Sequence, residues 1–155
     1  MDKTKFITQA AIIGAIYAAL TILAAPFSYG LMQVRISEAL TILPFFTPAA
    51  IPGLFVGCIV ANYVGGYGLL DIVLGSLATI TAAFITYKMK NKILAPLPPV
   101  IMNALIIGIM LSYLLDVPVW ASIAWVGIGE LIACYGLGYP LLRYLEKYKD
   151  RIFNR

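Results

Sequence analysis

Apolar residues dominate six stretches of the chain, at residues 6–25, 34–46, 51–64, 69–87, 100–115 and 119–142. Proline, glycine or charge separates each from the next: Pro26, the Pro44, Pro48 and Pro52 set, Gly65-Gly66-Tyr67-Gly68, Lys88 through Pro99, and Asp116-Val-Pro118. A helix needs roughly 20 apolar residues to cross a bilayer core of about 30 Å. The pattern therefore predicts an all-α integral membrane protein, a bundle of about six transmembrane helices. Stretch 34–46 is short for a crossing, so it is expected to tilt little, to start earlier or to be shielded by neighbours. No repeat divides the chain, and residues 1–155 read as a single transmembrane domain.

Charge gives the pattern a direction. All but one of the eleven Lys and Arg residues fall at Lys3 and Lys5, at Lys88 to Lys92, or from Arg143 to Arg155. Cytoplasmic loops of membrane proteins collect such cations. Both termini and the 88–92 loop are thus expected on the cytoplasmic side, with an even number of crossings between them. A five-helix arrangement would split the basic clusters between the two sides. Arg35, the remaining cation, then falls on the far side with most of the acids.

Composition excludes an ordinary soluble domain: 62% of residues are hydrophobic and 12% charged, against roughly a quarter charged in soluble proteins. The formal charge of +4 comes from cations flanking the spans, so it gives no signal for nucleic acid. Lys3 and Lys5 followed by an apolar run could mimic a signal peptide, but the run leads into further spans and reads as a retained first helix. Histidine is absent, and with it the commonest metal ligand and general base. Cys58 and Cys134 lie in apolar runs without a metal or redox spacing and read as small packing residues. No phosphate-binding G-x-x-x-x-G-K-[ST] loop, Gly-x-Ser-x-Gly elbow or His-Glu-x-x-His pair occurs. Neither a cofactor nor a metal is expected, and binding and translocation are favoured over catalysis.

Acids at bilayer depth carry the candidate chemistry, because each costs about 3 kcal/mol even on gentle insertion scales. Glu38 falls near the outer end of the second stretch, three residues after Arg35, so the two could share a helix face and pair. Asp71 opens the fourth stretch, where it could bind or could cap the helix. Asn62 lies near the outer end of the third and could bond across helices. Glu130 is deepest, about 16 Å into the sixth at 1.5 Å per residue, with no cation nearby in sequence. Trp125 on the same segment could stack on a planar ligand, whereas Trp120 reads as an interface anchor. Asp116 reads as a solvated turn residue. Asn103 falls on the inner half and outside the site. The expected outer pocket suits a neutral hydrogen-bonding ligand or a cationic one.

Small residues form stripes four apart: Ala11, Ala15 and Ala19 beside Ala10, Gly14 and Ala18, then Gly53, Gly57 and Ala61, then Gly75, Thr79 and Ala83. Such stripes let helix backbones approach closely. Internal packing accounts for the later two. The first helix carries small residues over a wider arc, which leaves a face for an external helical partner.

The run Gln33-Val-Arg-Ile-Ser-Glu-Ala-Leu-Thr-Ile-Leu-Pro44 resembles the motif of QueT-type queuosine-transporter subunits, the substrate-binding S-components of energy-coupling-factor (ECF) transporters. Gly57-Cys-Ile-Val-Ala-Asn62, Asp71-Ile-Val-Leu-Gly-Ser-Leu-Ala-Thr79 and Gly129-Glu130 fit the same family. The resemblance implies a six-helix S-component in the cell membrane that binds a deazapurine, either queuine or the aminomethyl-deazaguanine base. It also implies docking through Ala11 and Ala15 onto a transmembrane coupling protein with two ATPase subunits, and a toppling motion that carries ligand inward. On that reading Glu38 or Glu130 accepts from the guanine edge and Arg35 or Asn62 donates to it. Another acid faces the amine, and Trp125 stacks on the ring. Competing expectations are an S-component for another vitamin-like solute, a proton-coupled carrier working through Glu130 or Asp71, and a small membrane enzyme acting on lipid head groups.

Overall fold

The structure, a computed structural model, describes residues 2–29, 34–65 and 67–153, without the Asp150 side chain. Gly30, Gln33, Gly66 and Arg155, on which parts of the sequence reading fall, lie outside the described residues. The described residues form helices and turns and contain no strand. Seven α-helices run in chain order: α1 Lys3–Leu23, α2 Ala25–Ser28, α3 Ala50–Gly65, α4 Leu69–Lys88, α5 Leu97–Leu115, α6 Val119–Leu131 and α7 Tyr139–Ile152. A 3₁₀ helix, Ile36–Phe45, precedes α3, and a π-helical segment, Ile132–Gly138, joins α6 to α7 without a break.

Among the described residues, four segments are long and apolar enough to cross a membrane: Lys3–Leu23, Leu69–Lys88, Leu97–Leu115 and Val119–Lys149. Their outward faces carry large apolar side chains such as Ile7, Ile16, Leu77, Ile109 and Ile128, while Glu38, Asn62, Asp71 and Glu130 are buried. This arrangement, apolar outside and polar inside, suits a surrounding of lipid.

Two elements differ from the sequence expectation in kind or in bounds. The second stretch is a ten-residue 3₁₀ helix rather than an α-helical span. At about 2 Å per residue it rises only about 20 Å. Pro44 inside it lacks an N–H, and the Thr41 hydroxyl donates to the Glu38 carbonyl three residues back at 2.6 Å. The fifth helix starts at Leu97, so Pro98 and Pro99 lie within its first turn rather than before it. First-turn N–H groups have no intrahelical acceptor, and proline loses nothing there.

Packing arranges the elements in a ring. α1 lies on α3, α3 on α4, α4 on α5 and α5 on α6, and the 3₁₀ helix closes the circuit between α1, α4 and the π segment. The α1–α3 contact is backbone to backbone: a Cβ added at Gly57 would lie 2.7 Å from the Gly14 carbonyl oxygen, and one at Gly53 would lie 2.6 Å from that of Ala10. The π segment follows from Pro140, which cannot donate to the carbonyl four residues back. Gly138 lets that segment press on the 3₁₀ helix, with the Ala39 carbonyl oxygen 3.2 Å from where its Cβ would be.

One end of the bundle gathers the start of α1, the turn after the 3₁₀ helix and the end of α7. Gln9 donates to the Ile152 carbonyl at 3.4 Å, Thr47 donates to Gln9 at 3.1 Å, and Phe46 stacks on Phe153 with ring centroids 5.3 Å apart. Lys92 pairs with Glu146. At the other end Asp116 caps α5 in the left-handed conformation at φ 51° and is exposed, as expected of a turn residue.

Candidate functional site

Polar side chains from every wall of the ring meet in its interior. Nearer the α4 N-terminus, Arg35 Nη2 lies 3.8 Å from Asp71 Oδ2, and Arg35 Nε donates to the Ser28 carbonyl at 3.2 Å. The Tyr29 ring covers the guanidinium at 5.6 Å, and its hydroxyl donates to the Ala61 carbonyl at 2.7 Å. Asp71 Oδ2 also accepts the Tyr67 N–H at 3.2 Å, which ties the turn before α4 to the helix's first turn, while no side chain caps the helix itself. Asn62 Nδ2 donates to the Asp71 carbonyl at 2.9 Å, which ties α3 to α4. Gly75 makes room for that amide: a Cβ there would lie 2.4 Å from Asn62 Nδ2.

The expected Arg35–Glu38 pair does not form. Arg35 precedes the 3₁₀ helix in an extended conformation, φ −83° and ψ 108°, so the helix-face spacing does not apply and the guanidinium turns to Asp71 instead. Glu38 points toward α1, where the Tyr17 hydroxyl donates to its Oε1. Behind that contact the Thr21 hydroxyl donates to the Tyr17 carbonyl at 2.8 Å and sits 2.6 Å from Ser37 Oγ, pinning the 3₁₀ helix to α1.

Glu130 completes the deeper part. Its Oε1 accepts from Asn103 Nδ2 at 3.0 Å and its Oε2 from the Cys134 thiol at 3.5 Å. Thr41 Oγ1 lies 3.7 Å from Cys134 Sγ. Glu38, Glu130 and Cys134 each offer one ligand atom within 4.8 Å of the others, and these are the residues that would hold a divalent cation.

The interior thus brings together Arg35, Glu38, Asn62, Asp71 and Glu130, all buried. It does not bring Trp125, which is 45% exposed on the outer side of α6; Trp120 is exposed too. Ala11, Ala15 and Ala19 lie on the exposed face of α1. Ala11 and Ala15 line an apolar groove of about 430 Å³ with Ile7, Val56 and Val60. Tyr17, Asn103 and Cys134 join the cluster without having been picked out. Tyrosine or cysteine in an apolar helix reads as packing, and no spacing rule connects Cys134 to Glu38, which is 96 residues away.

Satisfaction of the interior is incomplete. Ser28 Oγ, Arg35 Nη2, Glu38 Oε2, Asn62 Oδ1, Asp71 Oδ1 and Ser76 Oγ are buried without a hydrogen-bond partner among the described residues. Native interiors leave few such atoms, so each calls for a partner beyond the described side chains, whether water, an ion or a solute. What the arrangement offers chemically is a set of fixed donors and acceptors in a low-dielectric surround that strengthens each contact.

The model of a family described as QueT transporter matches residues 7–147. A queuosine precursor transporter QueT from Lactococcus lactis subsp. cremoris (strain MG1363) is 34% identical over 81 residues, 51% of this chain and 47% of that protein. The match thus spans about half the length of the curated relative. No solved structure matches. With residues 7–147 matched and several apolar helices long enough to span a bilayer, this multi-pass membrane protein belongs to the QueT transporter family.

Proposed function

We propose that the chain is the substrate-binding subunit of an ATP-driven ECF importer and that it takes up a queuosine precursor, either queuine or the aminomethyl-deazaguanine base. The observation that carries this reading is the set of buried, unpartnered polar atoms around Arg35, Asp71, Asn62 and Glu38. A guanine-like ring supplies what they lack: amide and amino hydrogens for a carboxylate, and carbonyl and ring-nitrogen acceptors for Arg35. Asn62 Oδ1, whose amide nitrogen is already engaged, is an acceptor for a further ring hydrogen. The relative's name, a queuosine precursor transporter, supports the same ligand class.

Residues 1–155 form one domain on this reading, with both termini and the 88–92 loop cytoplasmic. The gathering of the start of α1, Lys92 and the end of α7 at one end of the bundle supports that orientation. The 3₁₀ helix and α3 complete a six-helix count as short members shielded by longer neighbours. Energy comes from a partner, since the chain has no nucleotide-binding loop. The exposed Ala11, Ala15 and Ala19 face is the contact for a transmembrane coupling protein, which joins two ATPase subunits.

Native mass spectrometry of the purified chain tests the ligand, with a co-purifying deazaguanine base as the expected result. Glu38→Gln and Glu130→Gln that both bind such a base with unchanged affinity refute the site. Uptake by proteoliposomes containing this chain alone, driven by a pH gradient, would replace the ATP-driven reading with a proton-coupled carrier.

A further inference from the structure

The last membrane-crossing segment is longer than a bilayer core is thick. Val119–Lys149 holds 31 residues. At 1.5 Å per residue that is about 46 Å of helix, against a hydrocarbon core of about 30 Å. The surplus falls at its charged end, where Arg143, Glu146, Lys147 and Lys149 follow one another on α7. The loop between α4 and α5 comes alongside there. The Tyr135 hydroxyl donates to the Ile93 carbonyl at 3.0 Å, and Lys92 pairs with Glu146. Asn91 Oδ1 accepts the Ile93 N–H at 2.9 Å, which holds the loop in a turn.

Loop and helix border a cleft of about 510 Å³, lined by Lys90, Asn91, Lys92, Ile93, Tyr139 and Arg143. Half of these residues are cationic and none is acidic. Glu146 answers Lys92, but among the described residues Lys90 and Arg143 have no acid within ion-pair distance. Tyr139 is half-buried at the same level, a place where aromatic residues favour the bilayer interface. Large apolar side chains adjoin the cleft along the chain: Ile93 and Leu94 on the loop, and Ile128, Leu131 and Ile132 on the rod that leads into α7, all exposed. A cationic cleft where a span leaves the bilayer, beside a lipid-facing apolar wall, matches a molecule with an anionic head and apolar tails. A soluble anion or an acidic protein surface would use the charge and leave the apolar side chains without a counterpart.

We propose that this cleft seats the headgroup of one anionic phospholipid, with Lys90 and Arg143 on its phosphate and its acyl chains along the exposed apolar side chains of α6 and the π segment. A guanidinium offers parallel N–H groups to two phosphate oxygens, and a lysine ammonium adds a point charge. The site lies apart from the buried polar interior and does not depend on which solute is carried. A lipid held there joins the 88–92 loop to α7, as the Lys92–Glu146 pair does, and so stabilises the folded chain by binding to it.

The test is native mass spectrometry of the full chain in detergent, offered phosphatidylglycerol and phosphatidylcholine with identical acyl chains. Phosphatidylglycerol should be retained in preference, and the melting temperature should rise with that lipid and not with phosphatidylcholine. Lys90→Gln together with Arg143→Gln should reduce the preference about fivefold per cation removed. Lys3→Gln together with Lys5→Gln removes the same charge from the start of α1 and should leave the preference within about twofold. All four side chains are exposed, so both double variants should melt like the parent in phosphatidylcholine. Excess glycerol phosphate should not displace the lipid. Equal retention of the two lipids overturns the proposal, because no anionic site then exists. Equal loss in the two double variants overturns it too, since the attraction then belongs to the whole basic end. Displacement by glycerol phosphate assigns the cleft to a soluble phosphate instead and overturns the lipid.

Discussion

The Tyr17 hydroxyl donates to the Glu38 carboxylate, joining the middle of α1 to the 3₁₀ helix inside the ring. Both residues are buried, Tyr17 completely. Tyr17→Phe keeps the ring and removes the donor, so Glu38 Oε1 joins Oε2 in lacking a partner among the described residues. A stability loss of about 1–3 kcal/mol is expected from leaving a buried acceptor unpaired. Thermal unfolding in detergent reads it, and binding of the aminomethyl base should weaken in parallel. An unchanged melting temperature together with unchanged affinity would show that the contact contributes to neither.

Gly75 and Asn62 form a second pair whose coupling can be measured. A methyl at position 75 meets the Asn62 amide at 2.4 Å and must push it off the Asp71 carbonyl. Gly75→Ala should cost about 1–3 kcal/mol for the displaced buried group, despite alanine being the better helix former. In the double variant Gly75→Ala with Asn62→Ala the clash disappears, and the combined loss should fall short of the sum by at least about 0.5 kcal/mol. Strict additivity would show that the two positions do not interact.

The two faces of α1 should respond in opposite ways. Gly57→Ala drives a methyl into the Gly14 carbonyl at 2.7 Å, backbone against backbone, and should lower stability by about 1–3 kcal/mol. Ala15→Leu points from the exposed face into the apolar groove and should leave melting temperature and ligand binding unchanged. Loss of co-purification with the coupling module is its expected effect. Retained assembly would count against this face as the contact.

Acid should weaken the far end of the bundle. The hydrogen bond from Lys92 holds the Glu146 carboxyl below the usual carboxylate range, with further help from the Lys92 charge and nearby cations. A depressed folded-state value means the contribution is present above the unfolded pKa, roughly 4.3, and is lost as pH falls through the folded one. The melting-temperature difference between the parent chain and Glu146→Gln should therefore be small at pH 7 and vanish in strong acid. It should also shrink in high salt, because the pair is partly exposed. A difference that grows on acidification would assign the opposite sign.

Long spans were legible because hydrophobic pattern and charge placement act over whole helices, as at α1, α4 and α5. The site was legible only in part. Glu38, Asp71, Asn62 and Glu130 were readable because burying them in an apolar stretch needs a reason. The side of α6 that Trp125 occupies was readable too, with more care. Five residues separate it from Glu130, which at 100° per residue puts them about 140° apart, so both cannot face the interior. Asn103 was misplaced because a depth scale of 1.5 Å per residue assumes straight, upright helices entering from one plane. Here it donates to Glu130, a residue assigned to the opposite half. The Arg35 partner was missed because three-residue spacing has meaning only inside a helix, and Arg35 lies before one.

The π segment at Ile132–Gly138 fixes the phase between two distant parts of one rod. Glu130 precedes it and looks into the seam, whereas Glu146 follows it and reaches Lys92. Deleting one residue within 132–138 would turn everything downstream by about 100° and draw it in by about 1.5 Å. With Glu130 aimed inward, Glu146 would swing away from Lys92; with Glu146 kept in place, Glu130 would turn toward lipid. The surplus loop of backbone is therefore a register setting that allows the polar inner wall and the basic end to be correct at once.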